Sequence, residues 1–167
     1  MRIDYRNVFP EALRAMRGLE RAVHESSLEP ELLELVKMRA SQLNGCAHCL
    51  DMHSKDARAR GENEQRLYVL SAWREAPFYS ERERSALGWC EALTLLPSSG
   101  VPDAVFEEVA RRFDEEEIVA LTIVAINGWN RFAVGLRSPV GHYVSPHRLK
   151  HAAADEAPAS GGAQRPR

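Results

Sequence analysis

The stretch NGCAHCLDMH, at positions 44–53, contains two of the three cysteines and two of the six histidines of this 167-residue chain. Asparagine and glycine favour the conformations that end helices, so we expect Gly45 to separate one helix from the next. Cys46 and Cys49 would then lie in the first turn of the second helix. The stretch therefore predicts a junction between two helices, with a CxxC motif at a helix N-terminus.

The segments on both sides of this junction have helical spacing of apolar residues, and no run of alternating β-branched residues indicates a strand. Pro10 and Pro30 stand where first helical residues are expected, because the missing N–H of proline costs nothing there. Ser80 and Glu83 form a capping-box pattern, and an acidic run suits the first turn of a long helix over 115–136. The sequence predicts an all-α fold, a compact bundle of about six or seven helices.

The composition changes at the C-terminal end, where Pro, Gly, Ala, Ser and His replace the periodic apolar residues. Such a segment buries too little apolar surface to hold a fixed structure. We therefore expect one helical domain over 1–137 and a disordered tail over 138–167.

The overall composition narrows the classes of partner. The net charge is only -2 and the basic residues are scattered, so neither a nucleic acid nor an anionic membrane is expected as the main partner. No N-terminal export signal is visible, and the longest apolar run, at 118–126, is too short to cross a bilayer. We predict a cytoplasmic protein. In that reducing compartment, a CxxC pair is expected to be catalytic, redox-active or metal-binding rather than a structural disulfide.

The spacing of Cys46, Cys49 and His53 puts all three on one face of a helix. Free backbone N–H groups and the helix dipole in the first turn favour the thiolate form of a cysteine. One sulfur could act as a nucleophile and the other could close a disulfide after oxidation, while His53 accepts or returns a proton. His48, between the two cysteines, lies on a different face and either tunes Cys46 or is solvated.

Glu34 lies in the preceding helical segment among apolar residues that cover most of its circumference. A carboxylate in such a position is costly to bury unless it is paired. If Glu34 points toward His53, it could orient the imidazole. Burial would then raise its pKa, so that it could accept a proton near neutral pH.

Two other interpretations of the cysteine pair remain. The pair could be core filling, or it could bind zinc in a metal-binding structural module with His53 as a further ligand. A closed zinc site needs four ligands, and the candidate for the fourth, Cys90, lies in an apolar helical pattern typical of a core cysteine. A thioredoxin-like fold would need βαβ units, which the pattern does not predict.

The run ELVKMRASQLNGCAHCLDMHSKDARARGE, at 34–62, resembles the core of the alkylhydroperoxidase D-like (AhpD-like) proteins of the carboxymuconolactone decarboxylase family. The matching features are a glutamate twelve residues before the first cysteine, the CxxC, a histidine between the sulfurs and a histidine four residues after the second. The run NGWNRFAVGLR, at 127–137, is similar to the end of the last helix in this family. The motif occurs once in the chain.

The resemblance implies an all-helical fold that assembles as dimers, trimers or hexamers, and a thiol peroxidase activity that needs no cofactor. By analogy, Cys49 is the peroxidatic cysteine and Cys46 closes the disulfide, while Glu34 and His53 form the proton relay and His48 assists around Cys46. The expected partners are a hydroperoxide substrate and an external dithiol or protein reductant. A thiol-disulfide adaptor with little peroxidase activity needs the same dithiol and stays an alternative.

Overall fold

The computed structural model describes residues 1–126 and 128–147, and within these ranges the chain forms helices and no strand. The prediction of an all-α fold is therefore confirmed. The helices are α1 (Tyr5–Val8), α2 (Pro10–His24), α3 (Pro30–Leu43), α4 (Ala47–Ala59), α5 (Glu64–Tyr68), α6 (Glu81–Thr94), α7 (Leu96–Ser99), α8 (Asp103–Ala110), α9 (Glu115–Ile126) and α10 (Gly128–Leu136), with a 3-10 turn at Leu70–Ala72.

Seven of the helices in the described ranges have eight residues or more, which agrees with the expected bundle of six or seven. The additional elements, α1, α5, α7 and the 3-10 turn, are each five residues or shorter. The helix predicted over 115–136 is described as two helices, α9 and α10, on either side of residue 127. The bundle is thus the expected one, with short helical turns in its connections.

The residues predicted to begin or separate helices lie at the observed helix boundaries. Pro30 is the first residue of α3, where its missing N–H removes no hydrogen bond. On α6, the Ser80 hydroxyl accepts from the Glu83 N–H while the Glu83 carboxylate accepts from the Ser80 N–H, so two N–H groups without helical partners are satisfied. Gly45, between α3 and α4, has a φ of +61°, a left-handed conformation that glycine adopts without strain.

Helix α3 is the central element and packs along α4, α6 and α9. Its Leu33 and Val36 lie in the main core with Leu121 of α9 and Cys90 of α6. Because α3 is covered on nearly all sides, polar side chains on it are buried as well, among them Glu34. This packing fixes the α3–α4 junction, and hence the CxxC motif, inside the molecule.

The described part of the predicted tail, 138–147, has no helix or strand but lies along α4. Tyr143 donates its hydroxyl to Asp56 at 2.8 Å, and its carbonyl oxygen accepts from Lys55 Nζ at 3.0 Å. The N–H of Gly141 donates to Asp51 at 3.1 Å. The remaining part of the predicted tail, 148–167, lies outside the described residues, so the predicted domain boundary and disorder stay predictions.

By length and composition alone, the 22 residues Glu115–Leu136 would suffice to cross a membrane. A core helix passes the same test, and one side of α9 is buried in the core while Val119 is exposed. Leu121 and Ala125 are buried and pack with α3 and α6 in the main core. The apolar character of α9 is therefore accounted for by packing within the bundle.

Candidate active site

The CxxC motif lies at the N-terminus of α4, as predicted. Cys46 is the N-cap residue, and its sulfur accepts a hydrogen bond from the Cys49 N–H at 3.3 Å. The two sulfurs form a disulfide across this first turn, with their Cα atoms 5.3 Å apart. Cys46 and Cys49 thus lie next to each other at the start of α4, at a Cα separation that a disulfide can span.

The two cysteines differ in their surroundings. Cys46 is 0% and Cys49 1% exposed, and both pack against Ala133 of α10. A cavity of about 590 Å³ reaches Cys49, whereas Cys46 is not part of its lining. A small molecule in this cavity would therefore meet the sulfur of Cys49 first.

The cavity has a largely apolar wall contributed by helices that are far apart in the sequence. Met16 and Val23 come from α2, Val124 comes from α9, and Trp129 and Phe132 come from α10. The opening faces solvent at α2, where the lining residue Leu19 is half exposed. The site combines an apolar container with a sulfur at its inner wall, which suits a small organic substrate.

His53 lies one turn after Cys49 on the same face of α4 and also lines the cavity. Its Nδ1 donates to Glu34 Oε2 at 3.0 Å, and both side chains are buried. This bond fixes the orientation of the ring and leaves Nε2 as the atom that can exchange a proton. The predicted pairing of Glu34 with His53 is therefore present.

The predicted direction of the Glu34 pKa shift is wrong. Burial alone would raise the pKa of Glu34, but the hydrogen bond from His53 and the positive charge of Lys37 outweigh it and lower the pKa to about 2. These contacts favour the carboxylate form of Glu34 at neutral pH, and its hydrogen bond from Nδ1 orients the His53 ring. Residue spacing indicates that Glu34 is buried, but it does not show how strongly the charges brought together by the fold act on its pKa.

Lys37 of α3, three residues after Glu34, is a further site residue that was not among the candidates predicted above. It is buried and lines the cavity, with Nζ 3.6 Å from Glu34 Oε1 and 3.6 Å from Glu20 Oε1. Nζ also donates to His24 Nε2 at 2.8 Å. A lysine three residues after the glutamate in an otherwise apolar helix was the available signal, because it allows the two charges to be buried as a pair.

His48 lines the cavity together with Cys49 and His53. Its Nδ1 donates to the carbonyl oxygen of Pro139 at 2.6 Å, so the ring ties the segment 138–147 to the start of α4. The structure therefore brings His48 to the site. Its assistance around Cys46, implied by the family resemblance, stays a prediction.

Three polar side chains connect α10 to the end of α3. Asn130, which is buried, accepts from the Asn44 amide at 2.9 Å and donates to the Ser41 hydroxyl at 3.2 Å. Asn44 directly precedes the turn that leads to Cys46. This network holds one wall of the cavity against the CxxC junction, and its members lie too far apart in the sequence to be paired by spacing.

The cysteines and the possible metal ligands do not coincide in the described part of the chain. The ligand atoms within 4.8 Å of one another there belong to Glu34, His53 and Asp56, of which Asp56 accepts from Tyr143. Cys90 lies in the main core, where burial raises the pKa of its thiol to about 12. The interpretation of Cys90 as a core cysteine agrees with this environment.

The comparisons with known proteins support one family. Residues 9–92 match the sequence model of the carboxymuconolactone decarboxylase family. Over 137 residues the chain is 44% identical to the uncharacterized protein YdfG of Bacillus subtilis (strain 168). The aligned region covers 81% of this chain and 93% of YdfG.

Solved structures with the same fold include proteins with a suggested or known activity. One is ATU0492 from Agrobacterium tumefaciens, a protein of unknown function for which the role of an AhpD antioxidant defence protein has been suggested. It is 46% identical to this chain and superposes with a TM-score of 0.80, over 85% of this chain and 99% of that chain. The apo debrominase Bmp8 is 26% identical with a TM-score of 0.69, over 80% of this chain and 73% of that chain. The chain therefore belongs to the carboxymuconolactone decarboxylase family, as one of its AhpD-like members.

Proposed function

We propose that this protein is a thiol-dependent peroxidase that reduces hydroperoxides through the Cys46–Cys49 dithiol–disulfide cycle. The observation that carries this proposal is the position of Cys49, which lines a largely apolar cavity together with His53. Cys46 is fully buried next to it, within bonding distance. One sulfur is thus open to a small substrate, and the other is placed to react with the first.

The reaction proceeds in three balanced steps. The Cys49 thiolate attacks one oxygen of the hydroperoxide, the O–O bond breaks, and the leaving alkoxide takes a proton and departs as an alcohol, which leaves a sulfenic acid on Cys49. The Cys46 thiolate then attacks the Cys49 sulfur, an S–S bond forms, and hydroxide leaves as water after protonation. An external dithiol reduces this disulfide and is itself oxidised to a disulfide.

The proton steps fall to His53 in this proposal. Its Nδ1 is engaged by the Glu34 carboxylate, so Nε2 can take the proton of the Cys49 thiol and later supply one to the leaving oxygen. Glu34 acts as a positioning residue, since its low pKa keeps it ionised throughout the cycle. For His48, which also lines the cavity, we propose the assisting role around Cys46 that the family resemblance implies.

Variants of the three cysteines test the proposal. We expect Cys49→Ser to abolish consumption of cumene hydroperoxide in the presence of dithiothreitol, because Cys49 is the one cysteine among the described residues that lines the cavity. Cys46→Ser should permit a single turnover and then stop or over-oxidise. Cys90→Ala is the matched control and should retain turnover, since its thiol lies in the core. Full activity in both Cys46→Ser and Cys49→Ser would rule out this mechanism.

The two alternative functions, a thiol-disulfide adaptor and a metal-binding module, would require different properties of the cysteine pair. A thiol-disulfide adaptor must present a sulfur to a partner protein, whereas both sulfurs are buried here, which favours the peroxidase. It would form mixed disulfides readily while consuming peroxide slowly. A metal-binding module would hold stoichiometric zinc in the reduced protein and lose it in Cys46→Ser, which metal analysis after chelator-free purification can measure.

We also propose a cellular location, an oligomeric state and a range of partners for the enzyme. A cycle that is reset by a dithiol fits the reducing cytoplasm, where we expect the protein to be located and where fractionation of cells can find it. We also expect it to work as a homo-oligomer, namely a dimer, trimer or hexamer. Neither a nucleic acid nor a membrane is expected as a partner.

A further inference from the structure

The mouth of the cavity carries positive charge that the protein itself does not neutralise. Arg6 of α1 and Arg17 of α2 both line the cavity and are exposed. Neither has a carboxylate within 4.0 Å among the described residues, and the guanidinium of Arg6 lies over the ring of Tyr5. By contrast, Arg14, one turn before Arg17 on α2, is paired with a glutamate.

The charges deeper in the cavity are compensated. Glu20 is the one acidic side chain in the lining that the structure describes, and it is 3.6 Å from Lys37 and accepts from the Trp129 indole N–H at 3.1 Å. Lys37 is also 3.6 Å from Glu34. The cations without a carboxylate partner, Arg6 and Arg17, are therefore exposed at the mouth, whereas the charges deeper in the cavity are paired and the rest of its wall is largely apolar.

The exposed arginines and the apolar wall together indicate which kind of ligand the cavity fits. An apolar body fills a cavity of about 590 Å³, a size typical of sites for small organic molecules. A charged group on the same molecule would be costly to bring inside, because burial of an unpaired charge is strongly unfavourable. At the mouth it would stay hydrated and could accept hydrogen bonds from the planar guanidinium groups.

We propose that this cavity takes amphipathic anions, with an apolar body next to Cys49 and an anionic group held at the mouth by Arg6 and Arg17. The inference rests on the proposed function: the substrate would be the hydroperoxide of an organic acid, with its O–O bond at the Cys49 sulfur. Carboxylate and phosphate share the required chemistry, because both accept paired hydrogen bonds from arginine.

Calorimetric titration of the oxidised full-length protein tests the inference without using its activity. The ligands are octanoate, octyl phosphate and octanol, which share an apolar chain and differ in the head group. We expect at least one of the two anions to bind about tenfold more tightly than octanol, and the difference to shrink at high salt because the mouth is exposed to solvent. The tighter anion identifies the head group.

Variants of the arginines locate the anionic group. Arg6→Gln and Arg17→Gln should each weaken binding of the preferred anion several-fold and leave binding of octanol unchanged. Arg14→Gln is the matched control on the same helix, since Arg14 is paired with Glu11 and does not line the cavity. A change in Arg14→Gln equal to that in Arg17→Gln would overturn the assignment of the mouth.

The outcomes separate this inference from the proposed function. If octanol binds as tightly as both anions, the inference is wrong even if the protein consumes cumene hydroperoxide. If an anion binds tightly through Arg6 and Arg17 but no hydroperoxide is consumed, the ligand class is supported and the peroxidase proposal fails.

Discussion

Glu34 is the residue whose role the structure changes most. It is buried in the central helix with His53 on one oxygen and Lys37 near the other, at 3.0 and 3.6 Å. These partners keep it ionised although burial favours the neutral acid. A carboxylate that accepts from His53 Nδ1 holds the imidazole ring in one orientation, and this is the role we propose for Glu34.

Replacement of Glu34 by glutamine should destabilise the protein in a pH-dependent way. We expect Glu34→Gln to lower the free energy of unfolding by roughly 3 kcal/mol at pH 7, the order found when one partner of a buried ion pair is removed. Because the folded pKa of about 2 lies below the ordinary value of 4.5, the ionised carboxylate contributes stability above pH 4.5 and loses that contribution as the pH falls toward 2.

Urea unfolding of wild type and Glu34→Gln at pH 6 and pH 3 measures this effect. The difference between the two proteins should be largest at pH 6 and smaller at pH 3. Lys55→Gln serves as a control for charge removal, since Lys55 pairs with Asp51 near the surface. A difference that is the same at both pH values would contradict the ion-pair account of Glu34.

At the scale of elements, short-range signals determined where helices begin. The proline at the start of α3, the capping box on α6 and the glycine between α3 and α4 all lie where the sequence predicts, because each acts on neighbouring backbone groups. The register of Cys46, Cys49 and His53 on α4 was predictable for the same reason. A helix fixes the relative positions of residues three, four and seven apart.

The capping box on α6 is expected to affect stability without affecting the site. Ser80→Ala removes the hydroxyl that accepts from the Glu83 N–H, which should cost about 1 kcal/mol. No residue of α6 lines the cavity, so peroxide consumption per folded molecule should be unchanged. Chemical denaturation and the cumene hydroperoxide assay together measure both effects.

The matched control is Ser98→Ala, whose exposed hydroxyl bonds only to the carbonyl three residues earlier. It should change stability by a few tenths of a kcal/mol at most. If Ser80→Ala had no larger effect than this control, the capping box would not be a significant part of the stability of α6.

At the scale of the whole molecule, the parts that sequence patterns did not predict are long-range. The cavity is assembled from α1, α2, α3, α4, α9 and α10, and residues such as Glu20 and Trp129 meet across more than a hundred positions. Spacing within a helix carries no information about such contacts. The sign of the Glu34 pKa shift was missed for the same reason, since it depends on which charges the folded chain brings together.

Self-association belongs to this scale as well. Helix α9 is central to the bundle, so its apolar character does not by itself require a partner. Large apolar side chains are nevertheless exposed. Val8 at the end of α1 is 71% exposed, Phe9 just before α2 is 62% exposed, and Val119 of α9 is 59% exposed. We expect sedimentation at micromolar concentration to show a dimer or larger assembly, because such surface is commonly covered in an interface. A purely monomeric protein would contradict this prediction.

The central claim is that peroxide oxidises the sulfur that faces the cavity. The most direct measurement treats reduced Cys46→Ser with one equivalent of cumene hydroperoxide in the presence of dimedone, which labels sulfenic acids, and locates the label by peptide mass spectrometry. The account predicts a label on Cys49 and none on Cys90, whose thiol is buried in the core. An unlabelled Cys49, with peroxide still consumed, would contradict it.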